Sequence, residues 1–477
     1  MGLATIILVL ALLIVLAFRG ISLVLLAPAL AMLAALLSGL PLLASYTQVF
    51  MTATGQFVIS YFPLFLLGAI FGALMEVSGA AGTIGRWSVK TLGRKNAILA
   101  VILSCAILTY GGVSLFVVAF AVFPIAAALF REAGIPARLM PGTIALGSFT
   151  FTMTALPGTP AIQNAIPMPY FNTTPFAAPV LGIVAAVIMF AIGYGWLMRR
   201  AAAAGRAGEG FGAGSEIGSV GIDPAQYREQ SQGEGFDLAE VHPVPAADIG
   251  IVRAILPIVL VVVINYLLSK VLLPGLDLAY LALPEWGGAA PGDVIGVWSI
   301  VVSLTAACCL VLILNPGSID RLIDALSDGA NAAVIPIFNT ASLVGFGAVI
   351  AALPAFAALR DGLLALSPDN PLISLSIAIN ILAGITGSAS GGMSIALEAL
   401  GSRYLELGLA AGTDPQVLHR VTSVATGGLD ALPHNGAVVT LLAICGMSHA
   451  KSYLDIFVVA LVGPLISLAA IIALASI

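Results

Sequence analysis

The sequence has 477 residues, of which 60% are hydrophobic and only 9% are charged. Soluble globular proteins carry about 25% charged residues, so the composition excludes a soluble fold and requires an outer surface that faces lipid. Apolar runs recur from end to end, and most are about 16–24 residues long, which suits helices crossing a bilayer core of about 30 Å. Because sheet-like alternation is scarce, we predict an all-α polytopic membrane protein.

The first apolar run, from Gly2 to Phe18, is predicted to be a membrane span rather than a secretory signal, because no basic segment precedes it. A stretch rich in Ala, Gly, Ser, Gln and Glu interrupts the apolar pattern midway along the chain. This stretch divides the chain into a first membrane half at 1–198, a solvated cytoplasmic linker at 199–249 and a second membrane half at 250–477. The four cysteines lie in apolar runs without metal-ligand spacing, so no metal site is predicted.

Three landmarks recur in the same order in both halves. They are a Gly-rich turn (109–114 and 386–392), an Ala-Gly turn (133–134 and 411–412) and the tripeptide Ala-Leu-Pro (155–157 and 431–433). The offset is 277 for the Thr residues that open the Gly-rich turns (386 − 109) and 276 for the tripeptides (431 − 155). This nearly constant offset indicates an internal duplication.

The hydropathy pattern predicts about ten transmembrane helices and two re-entrant hairpins, a first hairpin at 96–130 and a second hairpin at 371–400. The spans are predicted near 3–18, 21–38, 57–77, 139–167 and 176–197, then near 250–272, 292–314, 330–353, 415–447 and 453–475. With the 78–95 loop in the cytoplasm, fourteen of the 18 Lys and Arg residues lie inside, which satisfies the positive-inside rule. Both termini are then outside and the two repeats are inverted. The charges fit equally well when each hairpin is counted as two full spans.

Gly and Pro interrupt the predicted helices at 139–167 and 415–447, at a first break (155–160) and a second break (431–436). Irregular backbone at bilayer depth is tolerated where it is buried in protein or lines a wet cavity. Paired breaks in matching halves indicate a transporter's binding site, the alternative being two proline kinks that aid packing. The predicted substrate-binding residues are Gly111, Gly112, Ser114, Pro157, Gly158, Thr159, Ser388, Ser390, Gly391, His434 and Asn435.

The breaks contain no Lys or Arg, so backbone amides and small polar side chains are predicted to bind a small hydroxylated carboxylate. Asp430 and His434 flank the second break and are the predicted proton-coupling residues, because ionisable groups at bilayer depth are costly and usually functional. The alternative is that both only hydrogen-bond the broken backbone. Glu76 is predicted to be interfacial, and Glu398 faces a vestibule or caps packing. The remaining histidines are predicted to be solvated, namely His242, His419 and His449.

The same residues resemble the gluconate permease family of proton symporters, within the wider ion-transporter superfamily. The matching stretches are 110–116, 151–158, 431–438 and 441–446, and the likeness covers both halves. The resemblance implies proton-coupled uptake of gluconate or a related sugar acid, without a cofactor, in the bacterial cytoplasmic (inner) membrane. It also implies a homodimer with a static scaffold and a moving transport domain in an elevator-type cycle. Carboxylate carriers of the superfamily often use Ser-Asn-Thr triplets at these positions, and their absence here favours protons over sodium.

Other functions stay open on the sequence alone. Relatives of the resembled family include carriers of 3-hydroxybutyrate and other short carboxylates, and a sodium-coupled dicarboxylate carrier or a passive channel is a further alternative. An intramembrane hydrolase would need a dyad of Ser390 and His434, but the Gly expected two residues before the Ser is missing. We therefore predict a non-enzyme with a small organic anion and the lipid bilayer as partners, and no nucleic acid. The first break is predicted to bind the anion, and the second break is predicted both to bind the anion and to exchange the proton.

Overall fold

A computed structural model describes residues 2–19, 21–212, 249–365, 367, 370–433 and 435–476. Within these ranges the regular structure is entirely helical, which confirms the all-α prediction. Six helical segments are long and apolar enough to cross a membrane, and a seventh is counted if Ala80–Leu92 and Arg94–Tyr110, bent by 110°, form one span. The six are Leu42–Val77, Pro179–Arg206, Ile251–Gly275, Pro284–Leu314, Pro316–Ala352 and His449–Ala475. The protein is therefore a polytopic membrane protein, and the count of ten spans stays a prediction because the other spans are short or broken.

The first half contains twelve α-helices in its described part, several of them only one or two turns long. They are Gly2–Phe18, Leu23–Leu37, Leu42–Ala44, Met51–Val77, Ala80–Leu92, Ala97–Tyr110, Leu115–Ala133, Met140–Ser148, Phe151–Thr154, Ile162–Ala165, Pro167–Phe171 and Pro179–Arg206. A π-helical segment, Ser45–Phe50, joins Leu42–Ala44 to Met51–Val77 without a break. The first hairpin consists of Ala97–Tyr110 and Leu115–Ala133, and the first break lies between Phe151–Thr154 and Ile162–Ala165.

The described part of the second half contains eleven α-helices. Its α-helices are Ile251–Leu267, Pro291–Leu314, Ile319–Ala332, Val334–Ala352, Phe356–Ala365, Pro371–Thr386, Ala389–Ala410, Pro415–Ala425, Gly436–Ile444, His449–Phe457 and Gly463–Ala475. The second hairpin consists of Pro371–Thr386 and Ala389–Ala410. Both of its helices begin 274 residues after those of the first hairpin (371 − 97 and 389 − 115). This spacing is close to the offset between the sequence landmarks.

Two segments differ from the sequence expectation. The predicted loop at 78–95 is largely a helix, Ala80–Leu92, because Ile84 and other small or apolar residues on one face are buried while Lys90 is exposed. The helix ends at Gly93, whose φ of 70° favours glycine. At the other end of this half, Pro179–Arg206 continues past 198 into the predicted linker. Residues 213–248 of that linker lie outside the described residues.

The long segments of the two halves pack directly on each other. Helices Ile319–Ala332 and Val334–Ala352 both contact Met51–Val77. Glycines permit the close approach: a Cβ on Gly329 would lie 2.7 Å from Ile70 Cα, and one on Gly345 would lie 2.8 Å from Phe50 O. Small residues at such contacts are typical of membrane helix packing, where backbones approach closely. Val334–Ala352 also packs on Ala389–Ala410, so this pair of long segments supports the second hairpin.

A charged cluster joins the last helices of the two halves. The buried Asp455 carboxylate accepts hydrogen bonds from Trp196 Nε1 at 2.8 Å and Arg200 Nε at 3.0 Å. Arg138 forms an ion pair with Asp455 at 3.6 Å, which exceeds hydrogen-bond distance, and binds Glu209 through two bonds of 2.6 and 2.8 Å. The Arg138 guanidinium holds the pKa of the Glu209 carboxyl below its usual value through these bonds. The cluster therefore depends on the charge of Asp455.

Replacing Asp455 with Asn should destabilise the protein. The variant leaves Arg138 and Arg200 without their charged buried acceptor, and a hydrogen bond to a charged group contributes about 1.5–3 kcal/mol. The midpoint of thermal unfolding in detergent measures the change. Glu406→Gln, which removes the exposed ion pair with Arg403, is the control and should have almost no effect. Equal midpoints for the two variants would contradict a stabilising role of Asp455.

Candidate substrate site

The first hairpin tip lies directly on the first break. The Tyr110 hydroxyl donates a hydrogen bond of 2.8 Å to Pro157 O. Gly112 has a φ of 97°, and a Cβ at this position would lie 2.8 Å from Pro160 Cγ. Its neighbour Gly111 is equally constrained, because a Cβ there would lie 2.7 Å from Ile258 Cγ1. Both glycines are therefore required by close packing, and the structure brings these predicted site residues together.

Polar groups freed at the first break are bound by the protein itself. Gly158 N donates to Pro175 O at 2.9 Å, and Gly158 O accepts from Asn265 Nδ2 at 3.0 Å. The buried Thr159 hydroxyl accepts from Ala161 N at 3.3 Å. Asn265 belongs to helix Ile251–Leu267 of the second half, so the other half holds this break in place.

The second hairpin tip lies on the second break in a similar way. The Ser388 side chain caps helix Ala389–Ala410 by accepting from Gly391 N at 3.1 Å, and its oxygen lies 3.4 Å from Ser390 Oγ. Asn435 Oδ1 caps helix Gly436–Ile444 by accepting from Val438 N at 3.1 Å. Asn435 Nδ2 donates to Gly387 O at 2.8 Å, which joins the tip to the break. These predicted binding residues lie together and act as helix caps in this structure.

Two cavities lie where the tips and breaks of the two halves meet. The larger cavity has a volume of about 60 Å³ and is bounded by the first hairpin tip, the first break, helix Met51–Val77 and Leu304. The smaller cavity has a volume of about 10 Å³, enough for about one water molecule, and includes Asp430 and Asn435 of the second half. Leu115, Met153 and Gln163 line both cavities and form a shared wall. The two cavities are therefore adjacent, and the smaller one is lined by residues of both halves.

Only some of the predicted site residues line the two cavities. Gly112 and Ser114 line the larger cavity, and Asp430 and Asn435 line the smaller one. His434, predicted to bind substrate and exchange a proton, lies outside the described residues. Its role stays a prediction.

Sequence reasoning missed two polar side chains that line the larger cavity. Gln163 is 1% exposed and Thr109 is 3% exposed. Within the described part of the chain, Gln163 Oε1 and Thr109 Oγ1 are buried and have no hydrogen-bond partner. Buried polar atoms without partners are rare in folded proteins, and a ligand in the adjacent cavity would satisfy them. The sequence signal for them is their position, because Thr109 opens the first Gly-rich turn and Gln163 follows the first break by three residues.

A buried cation also lies beside the first break, although the break itself contains no Lys or Arg. Arg420 is 0% exposed. Its guanidinium donates to Ala177 O at 2.9 and 3.2 Å, Thr154 O at 3.3 Å, Asn164 Oδ1 at 3.1 Å and Pro175 O at 3.4 Å. Among the described residues, no carboxylate lies within ion-pair distance of Arg420. The sequence does not indicate this cation, because Arg420 is distant from the first break in sequence and adjacent to it in space.

His419 is buried as well, so the expectation of a solvated histidine is wrong. Its Nδ1 lies 2.6 Å from Thr173 Oγ1, and its Nε2 lies 3.2 Å from Asn164 Oδ1. A neutral imidazole with its proton on Nε2 satisfies both contacts. Ser423 Oγ, on the same helix, donates to Gln163 O at 2.9 Å. Helix Pro415–Ala425 of the second half is thus hydrogen-bonded along the segment that follows the first break.

An all-helical polytopic protein with two broken helices, and with adjacent cavities beside the breaks, has features of a membrane transporter. Over 469 residues, the chain is 42% identical to the uncharacterized transporter YxjC of Bacillus subtilis (strain 168), and this match covers 97% of the chain and 96% of YxjC. The chain therefore belongs to the same transporter family as YxjC. No protein-family model matches the sequence. The resemblance to gluconate permeases accordingly stays a prediction about substrate and mechanism.

Replacing Arg420 with Lys should destabilise the site although it keeps the charge. A lysine ammonium has three donors and cannot reach the oxygens that the planar guanidinium binds. Each buried oxygen left without a partner costs about 1–3 kcal/mol, so the midpoint of thermal unfolding should fall by several degrees. The control is Arg403→Lys, at a half-exposed position on the neighbouring helix, which should leave the midpoint unchanged. An Arg420→Lys variant as stable as this control would show that the guanidinium contacts contribute little.

Proposed function

We propose that this protein is a secondary active transporter that imports a small hydroxycarboxylate together with a proton. The observation that carries the proposal is the pair of adjacent cavities, the smaller of which is lined by residues of both halves. Among the described residues, Gln163 Oε1 and Thr109 Oγ1 line the larger cavity without a hydrogen-bond partner. A site between two halves can open to one side of the membrane at a time when one part of the protein moves against the other. This property distinguishes a carrier from a fixed receptor or an enzyme.

The charge of Arg420 supports an anionic substrate. The guanidinium is bound by neutral oxygens, so its positive charge is not cancelled by a carboxylate among the described residues that contact it. One of these oxygens belongs to Thr154, which lines the smaller cavity, and another belongs to Asn164, which follows Gln163. A carboxylate beside Gln163 would therefore lie near a fixed positive charge in a region of low dielectric.

Asp430 supports proton coupling. It lines the smaller cavity, which has room for one water molecule and shares its wall with the larger cavity. In the empty carrier, an ionised Asp430 balances the charge of Arg420. When the anion binds, its negative charge replaces that of Asp430, which takes up a proton. The summed charge of Arg420, Asp430 and the substrate is then zero in both the empty and the loaded carrier, so neither carrier moves a net charge through the membrane. His434, four residues further along the chain, is the proposed exchange partner of Asp430.

The proposed cycle uses two inverted repeats. The equal spacing of corresponding hairpin helices supports the duplication, and the contact between Met51–Val77 and the segment Pro316–Ala352 supports a frame shared by the halves. We propose that this frame is static, and that the hairpins, broken helices and last helix of each half move in an elevator-type cycle. From the resemblance, we propose a homodimer in the bacterial cytoplasmic membrane, with gluconate or a related sugar acid as the substrate. From the positive-inside rule, we propose that both termini lie outside. An intramembrane hydrolase stays the remote alternative, since His434 of its Ser390–His434 dyad lies outside the described residues.

Replacing Asp430 with Asn should separate accumulation from exchange. In proteoliposomes with an inward proton gradient, the wild type should accumulate labelled substrate. The Asp430→Asn variant should accumulate at least about tenfold less and should still exchange internal for external substrate. The loss follows because Asn cannot take up a proton. The control is Asp414→Asn, in which Asn can still cap helix Pro415–Ala425.

Two results would contradict the proton coupling at Asp430. One is normal proton-driven accumulation in the Asp430→Asn variant. The other is accumulation driven by an imposed sodium gradient and not by a proton gradient, which would instead support the sodium-coupled alternative.

A further inference from the structure

We propose that helix Ala80–Leu92, together with the 3-10 turn that follows it, binds the headgroups of anionic phospholipids. The inference concerns the surface of the protein and does not depend on the transported substrate. It follows from a surface patch of four cations, from an exposed indole beside them and from the position of the helix next to a membrane span. We call the four cations the basic patch: Arg86, Lys90, Arg94 and Lys95.

The charges of the basic patch are not neutralised by the protein. The sequence contains no Asp or Glu between Val77 and Arg131. Among the described residues, no carboxylate lies within ion-pair distance of any of the four cations, and this includes Glu76 and Glu132, the nearest acids along the chain. Four uncompensated positive charges within the stretch 86–95 attract anions to this part of the surface.

One face of the helix is held against the protein. Helix Ala80–Leu92 packs on both helices of the first hairpin and on helix Ile251–Leu267. The contact with the hairpin is close, because a Cβ on Gly85 would lie 2.7 Å from Ile125 Cδ1. Lipid headgroups therefore have access to the opposite face.

This opposite face combines cations with an exposed aromatic ring. Arg86 and Lys90 are four residues apart and therefore lie side by side on the helix. Trp87 is next to them and is 39% exposed. Tryptophan is enriched at the boundary between membrane and water, and cations beside exposed aromatic rings are typical of helices that bind anionic membranes. The cations alone would be enough for a free phosphate, whereas the exposed indole is accounted for by a lipid.

The position of the helix places the basic patch at the membrane boundary. Helix Ala80–Leu92 follows the candidate span Leu42–Val77 and is bent by 110° from the helical segment Arg94–Tyr110. Charged side chains are unfavourable in the hydrocarbon core, so a segment that carries four of them lies at its edge. The exposed face of the helix is thus continuous with the surface of the protein that contacts lipid.

The corresponding helix of the second half has no such patch. Helix Phe356–Ala365 begins 276 residues after Ala80 (356 − 80), and its Arg360 is paired with Asp361 at 2.9 Å. Of these two helices, the one with uncompensated charge is the one that the positive-inside rule places in the cytoplasm. The cytoplasmic leaflet is the one whose anionic lipids attract basic segments beside a membrane span.

A lipid titration of two matched triple variants tests the proposal. Full-length protein in detergent micelles is titrated with dioleoyl phosphatidylglycerol, and the bound lipid is counted by native mass spectrometry. The test variant removes three exposed cations of the basic patch through the substitutions Lys90→Gln, Arg94→Gln and Lys95→Gln. The control variant removes the same charge outside the patch through the substitutions Lys270→Gln, Arg360→Gln and Arg403→Gln.

We expect the apparent Kd for phosphatidylglycerol to rise at least about tenfold in the test variant and less than about twofold in the control, because each cation near an anionic headgroup adds to the attraction. Equal lipid affinities of the two triple variants would overturn the proposal. Displacement of the lipid by inorganic phosphate would show a site for free phosphate and would overturn the assignment to lipid.

A measurement on the wild type keeps the test decisive if the test variant fails to fold. The wild type should bind phosphatidylglycerol at least about tenfold more tightly than dioleoyl phosphatidylcholine, and the difference should decrease as the salt concentration rises. Equal affinities for the anionic and the zwitterionic lipid, or a difference that salt leaves unchanged, would contradict binding through the basic patch.

Discussion

A guanidinium buried at the depth of a membrane is unfavourable unless its donors are all bound. Arg420 meets this condition with oxygens of Thr154, Asn164, Pro175 and Ala177, all of which belong to the other half of the chain. Thr154 O is available because the helix is interrupted after Thr154, and Pro175 and Ala177 lie in the loop before helix Pro179–Arg206. Arg420 therefore joins the first break to this loop, and loss of the guanidinium would leave the oxygens of both segments without a donor. This interaction fixes the position of Gln163, and with it the wall between the two cavities.

Most polar groups exposed by the breaks are bound by the protein rather than left for a ligand. Gly158 is held by Pro175 and Asn265, while Ser388 and Asn435 cap the helices that follow them. The breaks thus serve mainly to shape the region and to bring the hairpin tips against it. Among the described residues, Gln163 Oε1 and Thr109 Oγ1 line the larger cavity without a hydrogen-bond partner. A mainly apolar wall with a few polar atoms is typical of small-molecule sites.

The hydropathy pattern is sufficient to predict the helical class, and several residues of the Gly/Pro clusters line the cavities. Contacts between residues far apart in sequence were not predictable. Arg420 meets Asn164 across 256 residues, and its position near the end of a predicted span gave no sign of that contact. His419 was misjudged for the same reason. Gln163 was not predicted because the Gly/Pro pattern marks the break at 155–160, whereas Gln163 lies in the helix that follows, Ile162–Ala165. The hydropathy pattern predicts a loop in place of helix Ala80–Leu92, because Arg86 and Lys90 lower its mean hydropathy and its apolar face is narrow.

The central claim is that one substrate site is assembled from both halves, at the wall formed by Gln163. An electron cryomicroscopy map of the full-length protein in lipid nanodiscs, with a saturating small hydroxycarboxylate that the protein transports, tests this claim most directly. We expect ligand density beside the Gln163 side chain, in contact with residues of both halves. Ligand density enclosed by a single half, or located away from Gln163, would contradict it.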